Sequence, residues 1–287
     1  MSRGGDSAGT LWLVGTPIGN RSDLAPRARE VLERVGVVAC EDTRTCRTLY
    51  SWMGVPTPEL VPYHDHNAER ALPGLMARVA AGEDVALVSE AGMPAIQDPG
   101  FRLVVAARRA GIEVVPVPGP SALILALAAS GLPTDRFAFL GFAPRRGRQA
   151  WWAEALLREE TVVVYEAPTR VRATLEEVAR AAPERAVCLA REITKVHEEF
   201  VTGSARSVAD ELAGRSERLR GECVIVVAGT GEARGGRPRP WPEALRELRR
   251  DRTGSGLSAR AVADVLVCVY PGERNAIYRA VQEDGSE

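Results

Sequence analysis

The stretch VALVSEAGMPAIQDPG, residues 85–100, decides the fold. It opens on an apolar run without alternation, the pattern of a strand buried on both faces. Two Gly and two Pro follow, and the chain then enters FRLVVAARRA (101–110), which has helical periodicity. Strand, Gly/Pro turn and helix form the repeating unit of an α/β protein with parallel strands.

The same unit lies on either side. Upstream, LWLV (11–14) leads through GTPIGN (15–20) to a helix-period segment at Leu24–Val35. Downstream, IEVVPV (112–117) leads through PGPSA (118–122) into another apolar segment. Further short runs are VVAC (37–40), FAFLGF (137–142), TVVVY (161–165), AVCLA (186–190) and CVIVVA (223–228), with a helix predicted over Val171–Ala181. The expectation is an α/β fold of two domains with largely parallel strands. SGLPTDR (130–136) carries turn residues between two such blocks, so the predicted domains are 10–133 and 134–229, after a flexible N-terminus at 1–9. TGEARGGRPRPWP then reads as a Gly/Pro/Arg linker over 230–241. Residues 242–287 are expected to form a small helical appendage, with helices at Pro242–Arg250, Ser258–Val269 and Glu273–Val281 and Ser258 as an N-cap.

A chain of 287 residues with 45% apolar and 26% charged residues buries enough surface to need no staple. Five cysteines without a C-x-x-C pair argue against a disulfide framework and for a reducing, cytoplasmic setting. No apolar run approaches a membrane span. Net charge is −1, so attraction to an anionic polymer must come from local clusters.

Three Gly/Pro loops at strand carboxyl ends suit a small-molecule site, because backbone can approach a ligand closely there. None is a G-x-G-x-x-G or G-x-x-x-x-G-K-[ST] loop, which disfavours the common nucleotide readings. The order GTPIGN, EDTR (41–44), HDHN (64–67), SEAGMP with DPG (89–94, 98–100), PGPSA, GF-x-P (141–144), YEAPTR (165–170), REITK (191–195) and GECVIVVAG (221–229) resembles one family. That family is the ribosomal RNA small subunit methyltransferase I group of the tetrapyrrole-methylase superfamily. The resemblance implies two α/β domains with S-adenosylmethionine in the cleft between them. It further implies 2′-O-methylation of a cytidine in the decoding region of 16S ribosomal RNA, in the assembled or nearly assembled small subunit, by a homodimer. By the same likeness Pro17, Glu90, Ala91, Gly92, Met93, Ile96, Ser121, Ala122, Tyr165 and Glu166 would hold the cofactor. The chain departs from the group at Glu90, where Asp is usual, and at Met93, where Thr is frequent. Two competing readings are a small-molecule methylase of the tetrapyrrole or precorrin kind and a non-catalytic module that binds cofactor or RNA.

Methyl transfer from a sulfonium needs no metal, but a ribose hydroxyl needs placement and help in losing its proton. Lys195 is the sole lysine, and beside a cationic sulfonium its pKa would fall, making it a candidate base; Glu192 and Arg44 are further catalytic candidates. Asp42 is alternatively an N-cap for the helix that carries Arg44. His64 and His66 would share one face of a strand, but no third histidine is near, so they read as RNA contacts or structural hydrogen-bond partners rather than zinc ligands. Arg145, Arg146 and Arg148 form a basic cluster ahead of Trp151 and Trp152, a combination suited to phosphates and a splayed base.

Overall fold

The computed structural model describes residues 8–231, 241–250 and 258–283. Most of the predicted N-terminus and linker, residues 1–7 and 232–240, lies outside them. The first sheet consists of β1 (Thr10–Val14), β2 (Val37–Cys40), β3 (Glu59–Pro62), β4 (Val85–Val88) and β5 (Glu113–Val117). Their order is β3-β2-β4-β1-β5, and every pairing is parallel. Alternate residues of each strand feed two cores. Leu11, Val37, Ala39, Val85 and Leu87 face one side, under α3 (Ala68–Ala80) and α4 (Phe101–Arg109). Val14, Val38, Cys40, Ala86 and Val88 face the other, under α1 (Pro26–Arg34) and α2 (Thr43–Met53). Burial on both faces is why these strands read as uninterrupted apolar runs.

The helix α5 (Ala122–Ala129), ALILALAA, is apolar on all sides. It spends that surface on the second sheet, where Leu123, Ala126 and Leu127 pack with Val163, Cys188, Ala190, Val224 and Val226. The second sheet contains β6 (Phe137–Phe142), β7 (Thr161–Glu166), β8 (Ala186–Arg191), β9 (Glu199–Ser204) and β10 (Cys223–Val227) in the order β6-β7-β10-β8-β9. Its opposite face is covered by α6 (Arg148–Ala155), α7 (Val171–Ala181) and α8 (Ala205–Gly214).

The expectation of largely parallel strands holds for the first sheet and fails for the second. Only β6 and β7 are parallel there; β10 runs against β7 and β8, and β8 runs against β9. The connection from β8 to β9, residues 192–198, is too short for a crossover helix, and that enforces an antiparallel return. Two strands, ELVP in β3 and EFVTGS in β9, escaped the sequence reading. Both are sheet edges, half exposed and carrying polar residues, so neither shows an apolar run.

The C-terminal unit contains α9 (Trp241–Arg250), α10 (Ala259–Val269) and α11 (Arg274–Glu283). Leu245, Val262, Ala263, Leu266, Ile277 and Val281 form its core. The Ser258 hydroxyl accepts the Ala261 N–H at 3.1 Å, the N-cap foreseen from sequence. Among the described residues no helix is long and apolar enough to cross a membrane, and all five cysteines are free.

Candidate active site

The three Gly/Pro loops leave the carboxyl ends of β1, β4 and β5 and are bound to one another. Thr16 and Gly92 exchange backbone hydrogen bonds of 2.9 and 3.0 Å, forming an isolated antiparallel bridge between the first two loops. The Ser89 hydroxyl donates to the Gly92 carbonyl at 2.9 Å, and Thr16 Oγ1 donates to the Ser89 carbonyl at 3.2 Å. The second loop is held in an unusual backbone course. Gly92 has φ +85°, and Ala95 and Gln97 sit at +69° and +61°, where side chains are rarely tolerated. Strain of ~1–3 kcal/mol at each such residue persists only where neighbouring contacts over-determine it, and it concentrates at functional sites.

These loops form one wall of a cleft of about 340 Å³. The second sheet supplies the opposite wall through Phe142, Tyr165 and the start of β10. Glu90, Ala91, Gly92, Met93, Ile96, Ser121, Ala122, Tyr165 and Glu166 all line this cleft. Pro17 does not; it opens onto a neighbouring pocket. Glu90 and Met93, the two departures from the group's usual residues, are both on the wall.

The cleft mixes apolar surface with carboxylates. Tyr165 stacks edge-on to Phe139 and Phe142, with centroids at 4.9 and 5.5 Å. Asp98 also lines the cleft, and its pKa is pushed up to about 6 by burial, then by the nearby charges of Glu41 and Glu90. Burial, with Glu41 and Asp42 close by, raises the Glu90 carboxyl as well. Glu166 is buried, and its carboxylate is consumed by Thr174 Oγ1 at 2.7 Å, Arg170 at 2.6 Å and the Ala167 N–H at 2.9 Å. Its side chain therefore braces the end of β7 and presents no free oxygen to a ligand. Asp98 was not singled out from the sequence, although a lone acid inside a Gly/Pro loop was the signal available.

Lys195 lies beside this cleft in a different state from the one expected. Its Nζ donates to Glu192 Oε1 at 2.9 Å and Glu222 Oε2 at 3.1 Å. Burial alone would lower its pKa, but the hydrogen bonds it donates to Glu192 and Glu222 outweigh it and the net shift is upward. A lysine held this way keeps its proton. Its stem packs against Gly19, and the Asn20 N–H bonds Thr194 Oγ1 at 3.1 Å, so this segment ties the second sheet to the first loop. Glu192 also accepts the Glu222 N–H at 3.0 Å and adopts φ +50°.

Asp42 caps α2 through the Arg44 N–H at 2.7 Å and also grips the Arg44 guanidinium at 2.8 Å. The Arg44 hydrogen bonds hold Asp42 down to about 2. His64 and His66 fall in a turn beyond β3 rather than on a strand, with rings 6.1 Å apart. No cluster of three metal-ligating residues exists among the described residues.

The basic cluster divides. Arg145 and Arg146 are exposed, and no ion pair engages them among the described residues. Arg148 instead forms a bidentate pair with Glu177, both bonds 2.8 Å, with each side chain only 18% exposed. Trp152 is fully buried and meets Trp151 edge-on at 5.0 Å. The expectation that Arg148 and Trp152 face RNA is corrected: the ion pair and the core claim them.

Residues 10–209 match the tetrapyrrole (corrin/porphyrin) methylases. A ribosomal RNA small subunit methyltransferase I of Pseudomonas aeruginosa is 42% identical over 97% of this chain and 99% of its own. Uroporphyrin-III-C-methyltransferase from Thermus thermophilus superposes with TM-score 0.53 at 26% identity, over 77% of this chain and 94% of that one. A structure of Uroporphyrin-III C-methyl transferase from the same organism, complexed with S-adenyl homocysteine, gives TM-score 0.54 at 21% identity, over 77% and 97%. With its strand-end loops, its cleft between two sheets and this likeness along nearly its whole length, the chain belongs to the ribosomal RNA small subunit methyltransferase I family of tetrapyrrole methylases.

Proposed function

We propose that this protein transfers a methyl group from S-adenosylmethionine to the 2′-hydroxyl of a cytidine in the decoding region of small-subunit ribosomal RNA. The observation that carries the reading is the single cleft onto which nine of the cofactor-assigned residues open. Its chemistry fits the group. Ile96, Ala122, Phe142 and Tyr165 offer apolar surface to an adenosine, and Glu90 and Asp98 place negative charge where a sulfonium would be welcome. Glycine at position 92, with positive φ and its bridge to Thr16, lets backbone rather than side chain meet the ligand.

The bound cofactor supplies an activated methyl group and its own leaving group. The chain's part is to hold the ribose oxygen in line, exclude water and accommodate the proton released. Lys195 acts there as a fixed cation clamped by Glu192 and Glu222, not as a base. Arg145 and Arg146 are the phosphate contacts. Assembly as a homodimer, which the superfamily likeness favours, and action on the assembled subunit are part of this proposal. Incubating the protein with methyl-labelled S-adenosylmethionine and methyl-deficient small subunits tests it: label should appear at one cytidine ribose. Absence of label there, with transfer to a tetrapyrrole precursor instead, would favour the small-molecule reading.

A further inference from the structure

Beside the cofactor cleft lies a second pocket of about 390 Å³, and of the cofactor-assigned residues only Pro17 and Glu90 line it. It occupies the same sheet edge, at the carboxyl ends of β1, β2 and β4. The two cavities share walls. Glu41 and Glu90 line both, and the strap after β1 separates them, with Thr16, Pro17 and Gly19 facing the pocket and Ile18 facing the cleft.

Helix α2 provides the far wall. Thr45, Thr48, Leu49 and Trp52 recur at helical spacing and face the pocket, while Tyr50 and Met53 are buried in the core of the first sheet. Trp52 is partly exposed, and the Arg21 guanidinium lies 5.6 Å from its ring centroid. Arg21 is exposed and has no carboxylate partner among the described residues. The pocket therefore combines an aromatic ledge, a cation that rests on that ledge without a carboxylate partner among the described residues, and the exposed carboxylates of Glu41 and Glu90.

We infer that this pocket receives the base of the acceptor nucleotide: a single cytosine, unstacked from the RNA and laid against Trp52, with Glu41 accepting from its exocyclic amine. The inference rests on the RNA-methylation reading and deepens it. A single cytidine is told apart in RNA by splaying its base out of the stack to expose its edges, and aromatic faces compensate the lost stacking. A carboxylate accepts from cytosine N4, which uracil lacks, so Glu41 would select between pyrimidines. The shared wall is what makes the placement productive. A base in this pocket brings its own ribose to the Glu41–Glu90 boundary, next to the cleft assigned to the methyl donor. Arg21, which rests over the Trp52 ring in the empty pocket, would swing aside as the base enters and meet the flanking phosphate.

The test uses the full chain, a short single-stranded RNA carrying one cytidine, and methyl-deficient small subunits. Thr48→Trp fills the pocket from an exposed helix position, and Trp52→Ala removes the ledge. Each should weaken RNA binding and raise the acceptor KM roughly tenfold or more, the scale of one lost base–aromatic stack. Calorimetric affinity for S-adenosylmethionine should stay at the wild-type value, which also certifies the fold. Glu41→Gln should narrow the preference for cytidine over uridine at the target. Wild-type acceptor binding in both pocket variants would overturn the inference, and so would parallel loss of cofactor binding, which would make this pocket part of the cofactor site. A wild-type protein that methylates no RNA would instead remove the reading beneath it.

Discussion

Gly15 and Gly119 meet backbone to backbone: a β-carbon on Gly119 would lie 2.6 Å from the Gly15 Cα. Nothing flexible can yield there, because the atoms in the way are main chain of the first and third loops. Gly119→Ala should therefore push the two loops apart, costing ~1–3 kcal/mol or more by overpacking, and should weaken S-adenosylmethionine binding with it. Gly131→Ala is the matched comparison. That glycine, unlike Gly119, has a positive φ, +71°, but it faces open space, so only backbone strain of ~1–2 kcal/mol applies. Urea midpoints and cofactor titrations on both variants decide the matter. Cofactor affinity equally preserved in both would show that the Gly15–Gly119 contact does not shape the cleft.

Asp98 gives the cleft a pH dependence. Its pKa of about 6 means that the carboxylate is charged at neutral pH and becomes neutral as pH falls through that value. A sulfonium in the same cleft favours the charged form, so affinity for S-adenosylmethionine should drop as pH is lowered through roughly 7 to 5. S-adenosylhomocysteine carries no sulfonium charge and should show a flatter profile. The folded-state pKa lies above that of an unfolded aspartate, ~3.9, so this group destabilises the empty protein above pH 6 and ceases to as pH falls. Asp98→Asn should accordingly raise Tm at neutral pH, lose that advantage near pH 4, and flatten the cofactor profile. Parallel pH profiles for the two ligands would place the sulfonium away from Asp98.

Lys195 should contribute no pH limb in the neutral range. Paired with Glu192 and Glu222 and shifted upward, it stays protonated, and the stability it lends is lost only as pH rises through its folded pKa. Lys195→Met keeps most of the stem beside Gly19 but leaves two carboxylates uncompensated, so transfer should fall while cofactor binding persists. Lys195→Arg should recover much of the loss, because a cation rather than a base is required. A wild-type rate limb between roughly pH 7 and 8 that disappears in Lys195→Met would restore the general-base role.

What the sequence disclosed depended on how each residue spends its side chain. The buried strands of the first sheet were legible because both faces are covered and the runs are apolar throughout. The edge strands β3 and β9 were not, since one flank of an edge meets solvent and polar residues interrupt the pattern. The Gly/Pro loops could be found because backbone requirements are written in residue type. Side-chain roles were less accessible. Glu166 and Arg148 look like ligand-binding charges in one dimension, and only the fold reveals that Thr174, Arg170 and Glu177 have already claimed them. Glu222, one of the two partners of Lys195, lies 27 residues away in the chain, beyond any local pattern.

The division of the arginine cluster yields the last prediction. Arg145 and Arg146 are exposed and unpaired among the described residues, whereas Arg148 is locked to Glu177. With a net charge of −1 the chain has no diffuse attraction to RNA, so affinity must come from discrete phosphate contacts. Each contact to single-stranded RNA contributes ~0.7 to the slope of log K against log salt concentration. Replacing Arg145 and Arg146 by Gln should therefore flatten that slope by up to ~1.4, with no change in Tm or cofactor affinity. Arg148→Gln should do the reverse. It leaves Glu177 as a largely buried carboxylate without its partner, at a stability cost of ~1–3 kcal/mol, and should leave the salt slope alone. The double variant Arg148→Gln with Glu177→Gln should return most of that stability, since both charges are then gone. RNA binding across a salt series, beside denaturant midpoints for the same proteins, separates the two classes. A slope flattened by Arg148→Gln as much as by the exposed pair would mean that RNA competes successfully with Glu177 for that guanidinium.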